Sequence, residues 1–183
     1  MIFHPYNHFL MHSNEQSTNY NLSNQEAIEK LKELAEKSGN CFFATALSGF
    51  PVTARPMVLQ EVDEMGTLWF ISSKQSAKNH EIVQDNRVAL YFQNNASYEF
   101  LTLSGRATIH TEKHIVEKYW NPLATAWFDG KDDPNITMIA VKPIDSMYWE
   151  TKDGKIISFM RMSFGAVTNI KTDGGIVEGK LKI

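Results

Sequence analysis

Hydroxyl and cationic side chains gather in one short polar stretch of the chain. Ser72 ends an apolar run, Ser76 precedes a helical pattern, and Lys78 lies in the first turn of that predicted helix. The first N–H groups of a helix lack intrahelical partners and the helix dipole is positive there, so a nearby ammonium group makes the position suitable for an anion. We therefore predict a phosphate site at this point. An ordinary strand and loop leading into a Ser-capped helix would explain the same residues, because serine is a favoured N-cap in general.

A second cation, Arg55, lies inside an otherwise apolar predicted strand. If its side chain points inward it needs an anionic partner, because burial of an unpaired guanidinium is costly; the alternative is that it points to solvent. Pro56 donates no ladder hydrogen bond, so this part of the strand is either an edge or a place where a ligand replaces a neighbouring strand. A meander of antiparallel strands would bring residues 55–57 alongside residues 69–72. A dianionic phosphate suits the combined set of cations and hydroxyls.

Motifs of several other chemistries are missing from the sequence. It contains no G-x-S-x-G, no H-E-x-x-H, no Walker loop and no G-x-G-x-x-G. His4, His8 and His12 stand four residues apart and could bind a metal from one helix face, but Pro5 and the neighbouring asparagines disfavour that helix. We predict no metal site and identify no catalytic acid or base.

Hydrophobic spacing predicts the elements that position these residues. A helical pattern between Ser23 and Gly39 predicts an amphipathic helix over residues 24–38, begun by a capping box and ended by the glycine. Apolar, β-prone runs separated by turn residues predict six or seven strands. These strands are residues 41–47, 52–62, 67–71, 88–93, 98–110, 137–142 and 146–151, and further helices are residues 76–85, 111–120 and 156–167. Gly105 inside the long strand predicts a bulge or a bend.

Close succession of strands, without regular alternation of strands and helices, predicts a mainly β fold. We expect a small antiparallel barrel with about three helices outside it. The domain is expected over residues 24–170, between a flexible N-terminal tail of residues 1–23 and a Gly- and Lys-rich C-terminal tail of residues 171–183.

The composition disfavours several functional classes. A net charge of −3, with Lys and Arg scattered along the chain, gives no basic surface for nucleic acid. No apolar run is long enough to cross a bilayer, and the first residues make a poor signal peptide. The single Cys41 excludes an intrachain disulfide, which fits a reducing compartment. We expect a cytoplasmic protein with neither a nucleic-acid nor a membrane partner.

Several short runs together resemble the FMN-binding split-barrel family typified by pyridoxamine 5'-phosphate oxidase, and within it the bacterial general stress protein branch. The resemblance covers about residues 26–150 and depends on the order and spacing of the runs. They are R-P-M at 55–57, G-T-L-W-F-I-S at 66–72, S-A-K-N-H-E-I at 76–82, S-G-R-A at 104–107, W-N-P at 120–122, A-W-F at 126–128 and Y-W-E at 148–150. The resemblance implies a six-stranded split barrel, and a homodimer with two FMN sites at the subunit interface.

The same resemblance implies which residues contact FMN. Arg55 and Lys78 would hold the phosphate, with Ser72 and Ser76 as hydroxyl partners. Backbone groups of residues 57, 58 and 71 would meet the flavin ring or the ribityl chain. The residues expected at the site are Arg55, Pro56, Met57, Val58, Ile71, Ser72, Ser76, Lys78, Trp127 and Trp149.

The two tryptophans in that set are expected to act on the flavin ring. Trp149 matches a tryptophan that the oxidases place near the flavin from the partner subunit, and Trp127 would close over the isoalloxazine. The alternative is that both are core or dimer-contact residues.

Departures from the oxidases limit the expected activity. The oxidases have arginine where this chain has Ala77 and glutamine where it has Phe100, and nothing after Trp149 resembles the segment with which they bind the vitamin phosphate. We therefore predict an FMN-binding oxidoreductase that exchanges electrons with small molecules but is not a pyridoxamine phosphate oxidase. The alternatives are a flavin-binding stress or sensor protein without turnover, and a split barrel that binds FAD or heme.

Overall fold

Nine strands and three α-helices form the described part of the chain, which is residues 18–151 and 176–183 of a computed structural model. The strands are β1 (Thr18–Asn19), β2 (Leu22–Ser23), β3 (Asn40–Thr45), β4 (Thr53–Val62), β5 (Leu68–Ser73), β6 (Arg87–Asn94), β7 (Glu99–His110), β8 (Ile136–Thr151) and β9 (Ile176–Lys182). The helices are α1 (Asn24–Ser38), α2 (Ala77–Gln84), α3 (Lys113–Tyr119) and a 3-10 helix at Pro122–Ala126.

Six of these strands close into an antiparallel barrel. Their order is β8-β5-β4-β3-β6-β7, and β7 pairs with β8 to complete the ring. Every pairing around the ring is antiparallel. The predicted mainly β fold, a six-stranded antiparallel barrel with helices outside it, is therefore confirmed.

The barrel is open beside the first half of β4. Residues 53–58 of this strand pair with β3, whereas pairing with β5 covers residues 59–62 and contains a bulge between Leu59 and Glu61. Residues 53–58 thus have β3 on one side and none of the described strands on the other. The predicted register is wrong at this point, because Trp69 lies opposite Glu61 and not beside residues 55–57.

Large apolar side chains fill the barrel. Phe43, Phe70, Leu90, Leu103 and Ile139 are all fully buried. The rings of Phe43 and Phe70 meet edge to face, with their centroids 5.3 Å apart. Residues of alternating position on these strands therefore point inward.

Helix α1 packs its apolar face against the sheet. Ala27, Leu31 and Leu34 are buried on that face, and the helix contacts β4, β6 and β9. Its bounds match the prediction, and Gly39 ends it in the left-handed conformation at φ 70°. The predicted capping box is wrong: the Ser23 side chain makes no cap hydrogen bond, and Ser23 belongs instead to β2, which pairs with β9.

Strand β8 runs without interruption for 16 residues, although the sequence predicted two strands separated at Pro143. Pro143 lies opposite Gly105 of β7, where the register shifts between Ser104 and Gly105. The ladder is therefore irregular at Gly105, as predicted, but the extra residue of the bulge is Ile144 of β8. A Cβ atom there would lie 2.5 Å from the backbone oxygen of Lys142, so the position requires glycine. The proline is tolerated because the irregular ladder at the bulge needs no donor from it.

Short strands from both ends of the chain extend the barrel sheet. Strand β9 pairs antiparallel with the second half of β8, and β1 and β2 pair parallel with β9. The sequence predicted terminal tails over these residues. The composition concealed an alternation in which Val177, Gly179 and Leu181 are buried and the residues between them are more exposed. The helix predicted over residues 156–167 lies outside the described residues.

Helix α3 packs on the outer side of β5 and β8. Tyr119 stacks on Trp69 with ring centroids 4.1 Å apart, and Val116 and Met138 belong to the same apolar cluster. No helix within residues 18–151 or 176–183 has the length and apolar character needed to cross a membrane.

Candidate anion-binding site

Arg55 lies on the inward side of β4, next to the barrel opening. Along this strand Met57 and Leu59 are buried, whereas Pro56 and Val58 are exposed. The Arg55 side chain shares the phase of the buried residues and is 21% exposed. The sequence left two orientations open for this side chain, and the structure has the inward one.

Glu81 of α2 supplies the anionic partner that an inward Arg55 requires. Arg55 Nη2 donates a hydrogen bond to Glu81 Oε2 at 2.8 Å, and Nη1 donates to the backbone oxygen of Phe43 at 3.4 Å. The buried Thr45 hydroxyl accepts from Arg55 Nη1 and donates to Glu81. Sequence reasoning missed both Thr45 and Glu81. The available signal was the position of Glu81, three residues after Lys78 and so on the same face of the helix.

Lys78 faces this ion pair from the first turn of α2. Burial lowers the pKa of its half-buried ammonium group and the Arg55 charge lowers it further, while Glu81 opposes both. The hydrogen bond from Thr45 lowers the pKa of Glu81; Arg55 and Lys78 act in the same direction, and burial opposes them. Two cations therefore accompany one carboxylate. The three groups carry a net charge of about +1, which fits an anion such as a phosphate.

Ser72 and Ser76 belong to a separate polar network centred on the buried Asn79. Both hydroxyls lie within hydrogen-bond distance of Asn79 Oδ1, at 2.8 Å and 3.2 Å. Asn79 Nδ2 donates to Thr137 Oγ1 at 2.9 Å, and the Thr137 hydroxyl donates to the backbone oxygen of Ser72 at 3.1 Å. Ser76 is also the N-cap of α2, as predicted, and accepts from the backbone N–H of Asn79 at 3.4 Å.

Helix α2 thus divides the predicted phosphate site into two groups. Lys78 and Glu81 turn toward Arg55, whereas Asn79 turns toward the serines of the loop. Asn79 is a further residue that sequence reasoning missed, although it follows Lys78 directly. The serine hydroxyls would have to turn away from the Asn79 oxygen before they could donate to a phosphate.

The predicted flavin contacts lie around the barrel opening. Met57 is buried inside the barrel, while Pro56 and Val58 face outward from the unpaired part of β4. Ile71 is partly buried near the end of β5, opposite Met138 of β8. The backbone of this part of β4 is available to a ligand, and the predicted roles of these residues stay predictions.

The two predicted tryptophans lie elsewhere on the protomer. Trp149 lies opposite Phe100 of β7 and donates from Nε1 to Glu178 Oε2 at 3.1 Å. Trp127 follows the 3-10 helix and is 74% exposed. Within one protomer, Trp149 thus contacts residues of β7 and β9, whereas Arg55 contacts residues of β3 and α2.

A pocket of about 430 Å³ lies on the opposite side of α2 from Arg55. Its lining includes Asn79, His80, Val83 and Thr137, and it does not include Arg55 or Lys78. The paired cations on the other face of the helix make that face the better anion site. Among the described residues, no group of three or more His, Cys, Asp or Glu side chains is placed to hold a metal ion; the histidines of residues 4–12 lie outside the described ranges.

Comparison with known proteins gives a family for this fold. The family model described as pyridoxamine 5'-phosphate oxidase like matches residues 26–173. General stress protein 26 of Bacillus subtilis is 29% identical over 82 residues, which is 43% of this chain and 59% of that protein. Protein bli-3 of Neurospora crassa is 29% identical over 105 residues, which is 52% of this chain and 50% of that protein. The chain thus spans about half of each of these relatives.

Solved structures with the same fold include general stress proteins. The general stress FMN/FAD binding protein of Xanthomonas citri superposes with a TM-score of 0.57 at 28% identity, over 67% of this chain and 89% of that one. General stress protein 26 of Bacillus anthracis strain Sterne has a TM-score of 0.59 at 19% identity, over 66% of this chain and 92% of that one. The barrel, the match over residues 26–173 and these relatives agree: the chain belongs to the pyridoxamine 5'-phosphate oxidase like family, and general stress protein 26 is among its relatives.

Proposed function

We propose that the chain is a flavoprotein that binds FMN by its phosphate and acts as an oxidoreductase on small-molecule electron donors and acceptors. The observation that carries the proposal is the cluster of Arg55, Lys78 and Glu81 beside the open side of the barrel, with one positive charge in excess. The Xanthomonas citri relative, described as FMN/FAD binding, supports a flavin as the ligand.

The cluster residues have distinct parts in the proposed site. Arg55 and Lys78 hold the phosphate, because a guanidinium and an ammonium group beside each other give charge-assisted hydrogen bonds to an anion. Ser72 and Ser76 are secondary partners, since Asn79 already occupies their hydroxyls. The bound flavin would supply the electron transfer. The chain fixes its position and limits its contact with water.

We further propose that the chain forms a homodimer and that the second copy completes the flavin site. Exposed apolar side chains lie on neighbouring strands of one outer sheet face: Phe42 is 59% exposed, Val58 56% and Tyr91 49%. Phe42 pairs with Pro56 on one side and Tyr91 on the other, so these residues are contiguous. A second copy is the proposed occupant because the family resemblance places Trp149 near the partner's flavin, and within its own protomer Trp149 hydrogen-bonds to Glu178 of β9 while Arg55 contacts β3 and α2.

Flavin titration tests the phosphate site. We expect Arg55→Ala and Lys78→Ala each to weaken FMN binding by about 1.5–3 kcal/mol, as for hydrogen bonds to charged groups. Riboflavin, which lacks the phosphate, should bind the variants and the parent protein alike. Lys74→Ala is a matched control, because Lys74 lines the pocket on the other side of α2. Unchanged FMN affinity in both Arg55 and Lys78 variants would remove the phosphate role.

The purified protein also tests the wider proposal. A yellow preparation, or one that turns yellow with added FMN, is expected; a colourless protein that does not bind FMN contradicts it. The absorption spectrum and the extracted cofactor separate FMN from FAD or heme. Anaerobic mixing with NADH or NADPH should bleach the flavin, and a flavin that stays oxidised would indicate a binding or sensor protein without this turnover.

A further inference from the structure

The Arg55 guanidinium already has a carboxylate partner in the protein itself. Glu81 Oε2 accepts from Arg55 Nη2 at 2.8 Å, and the two side chains are 23% and 21% exposed. Thr45, which is fully buried, is hydrogen-bonded to both groups. The arrangement is therefore built from three elements, β3, β4 and α2, and it is partly shielded from solvent.

A carboxylate in this position competes with a phosphate. An Arg guanidinium pairs with carboxylates and phosphates through the same fork of N–H donors. With Glu81 in place, the cluster of Arg55, Lys78 and Glu81 carries a charge of about +1, whereas the phosphate of FMN approaches −2 at neutral pH. Removal of the Glu81 charge would bring the cluster to about +2 and match a phosphate monoester.

We propose that Glu81 is a specificity-determining residue of the anion site. It holds Arg55 while the site is free of ligand and must yield that position to an incoming phosphate. The exchange disfavours a doubly charged phosphate monoester relative to the same flavin without phosphate. The inference rests on the proposed flavin function and adds a residue that sets the preference of the site between FMN and riboflavin.

The ratio of FMN affinity to riboflavin affinity measures this preference. In Glu81→Gln, which keeps the shape of the side chain and removes its charge, we expect the ratio to rise roughly tenfold, between the effects of exposed and of buried charge pairs. Glu81→Ala should move the ratio in the same direction. Glu64→Gln is the matched control, because it makes the same charge change in the exposed turn after β4, and it should leave the ratio unchanged.

A double-mutant cycle with Arg55→Ala shows whether Glu81 acts through Arg55. In the Arg55→Ala background, the increase in the FMN-to-riboflavin affinity ratio caused by Glu81→Gln should be less than half of its value in the parent protein. An equal increase of the ratio in both backgrounds would mean that Glu81 acts as a general surface charge. It would overturn the proposal that phosphate replaces Glu81 on Arg55. A fall in the ratio in Glu81→Gln would also overturn it, because Glu81 would then position Arg55 for the phosphate.

Inorganic phosphate separates this inference from the proposed function. If neither FMN nor riboflavin binds any of these proteins, the flavin proposal fails, and titration with inorganic phosphate by ³¹P NMR still tests Glu81. Tighter phosphate binding in Glu81→Gln than in the parent protein is the expected result. Equal phosphate binding in the two proteins would overturn the proposed competition between Glu81 and phosphate for Arg55.

Discussion

Burial determines the chemistry of Cys41, the single cysteine of the chain. Its side chain is 3% exposed on the inward side of β3, and desolvation raises the pKa of the thiol to about 12. Since the thiolate is the reactive form, the folded protein should present almost no nucleophilic sulfur at neutral pH. The group is a core residue and not a catalytic one.

Alkaline pH should therefore weaken the fold through Cys41. The unfolded thiol has an ordinary pKa near 9.0, whereas the folded one titrates at about 12. The buried, protonated thiol contributes fully to the free energy of unfolding below pH 9. This contribution is lost as the pH rises toward 12, because the unfolded chain releases the thiol proton first. We expect the free energy of unfolding to fall more from pH 8 to 10.5 in the parent protein than in Cys41→Ala.

Thiol labelling provides the companion measurement. The native protein should react slowly with a disulfide reagent at pH 8 and completely after denaturation. Rapid labelling of the native protein, or parallel stability curves for the parent and Cys41→Ala, would contradict the burial argument.

At the level of single residues, strand periodicity and electrostatics predict only part of the candidate site from the sequence. The cost of burying an unpaired guanidinium correctly required an anion near Arg55, and helix periodicity placed Lys78 in the first turn of α2. The identity of the anion, Glu81, could not follow from the sequence. It depends on how α2 packs over the end of β3, which is a tertiary contact. The role of Asn79 as the partner of both serines has the same origin.

At the scale of elements, Gly179 is the position at which the N-terminal segment packs most closely against β9. It lies in β9, where a Cβ atom would be 1.9 Å from the backbone oxygen of Tyr20 and 2.8 Å from the ring of Tyr148. The Tyr148 hydroxyl donates to that same Tyr20 oxygen at 2.9 Å. The close approach of the N-terminal segment to β9 thus depends on the missing side chain.

Gly179→Ala should destabilise the protein by about 1–3 kcal/mol through overpacking. Unfolding in urea, with the midpoint and the slope both fitted, measures the loss. Gly49→Ala is the control, because a Cβ atom there would lie 3.4 Å from the nearest atom. Equal stability of the two variants would mean that the N-terminal segment shifts away from β9 at little cost.

The elements with strong periodicity were predicted well, and those hidden by composition were not. Helix α1 and the barrel strands other than β8 stand out in the sequence, and Gly105 itself indicates the irregular pairing between β7 and β8. The composition predicts a tail in place of β9, because its glycine and lysines mask the alternation of Val177, Gly179 and Leu181. The sequence predicts two strands in place of β8 because it does not show that the residues around Pro143 form a bulge opposite Gly105 of β7.

At the scale of the whole molecule, the exposed face of β3, β4 and β6 is the surface that a second copy would cover. Phe42 and Val58 are each more than half exposed there. The sequence predicted the barrel from the order of its strands, but it could not locate this face, since exposure depends on which strands become neighbours. The dimer itself is implied by the family resemblance and by the surplus of aromatic residues.

Val58→Asp should prevent association. A buried aspartate without a partner opposes dimer formation, so light scattering after size exclusion should give a monomer for this variant and a dimer for the parent protein. Val83→Asp makes the same change at a 79% exposed valine of α2, outside this face, and should stay dimeric. A parent protein that is monomeric at high micromolar concentration would contradict the proposal, as would a dimeric Val58→Asp variant.

The opening of the barrel beside residues 53–58 also bears on solubility. An uncovered strand edge can pair with another chain and begin aggregation, and natural proteins protect such edges with proline, charge and bulges. β4 has all three at this point: Pro56 offers no N–H, Arg55 carries a charge, and the bulge between Leu59 and Glu61 disturbs the ladder. The residues at the proposed flavin site would therefore also protect the ligand-free protein from edge-to-edge association.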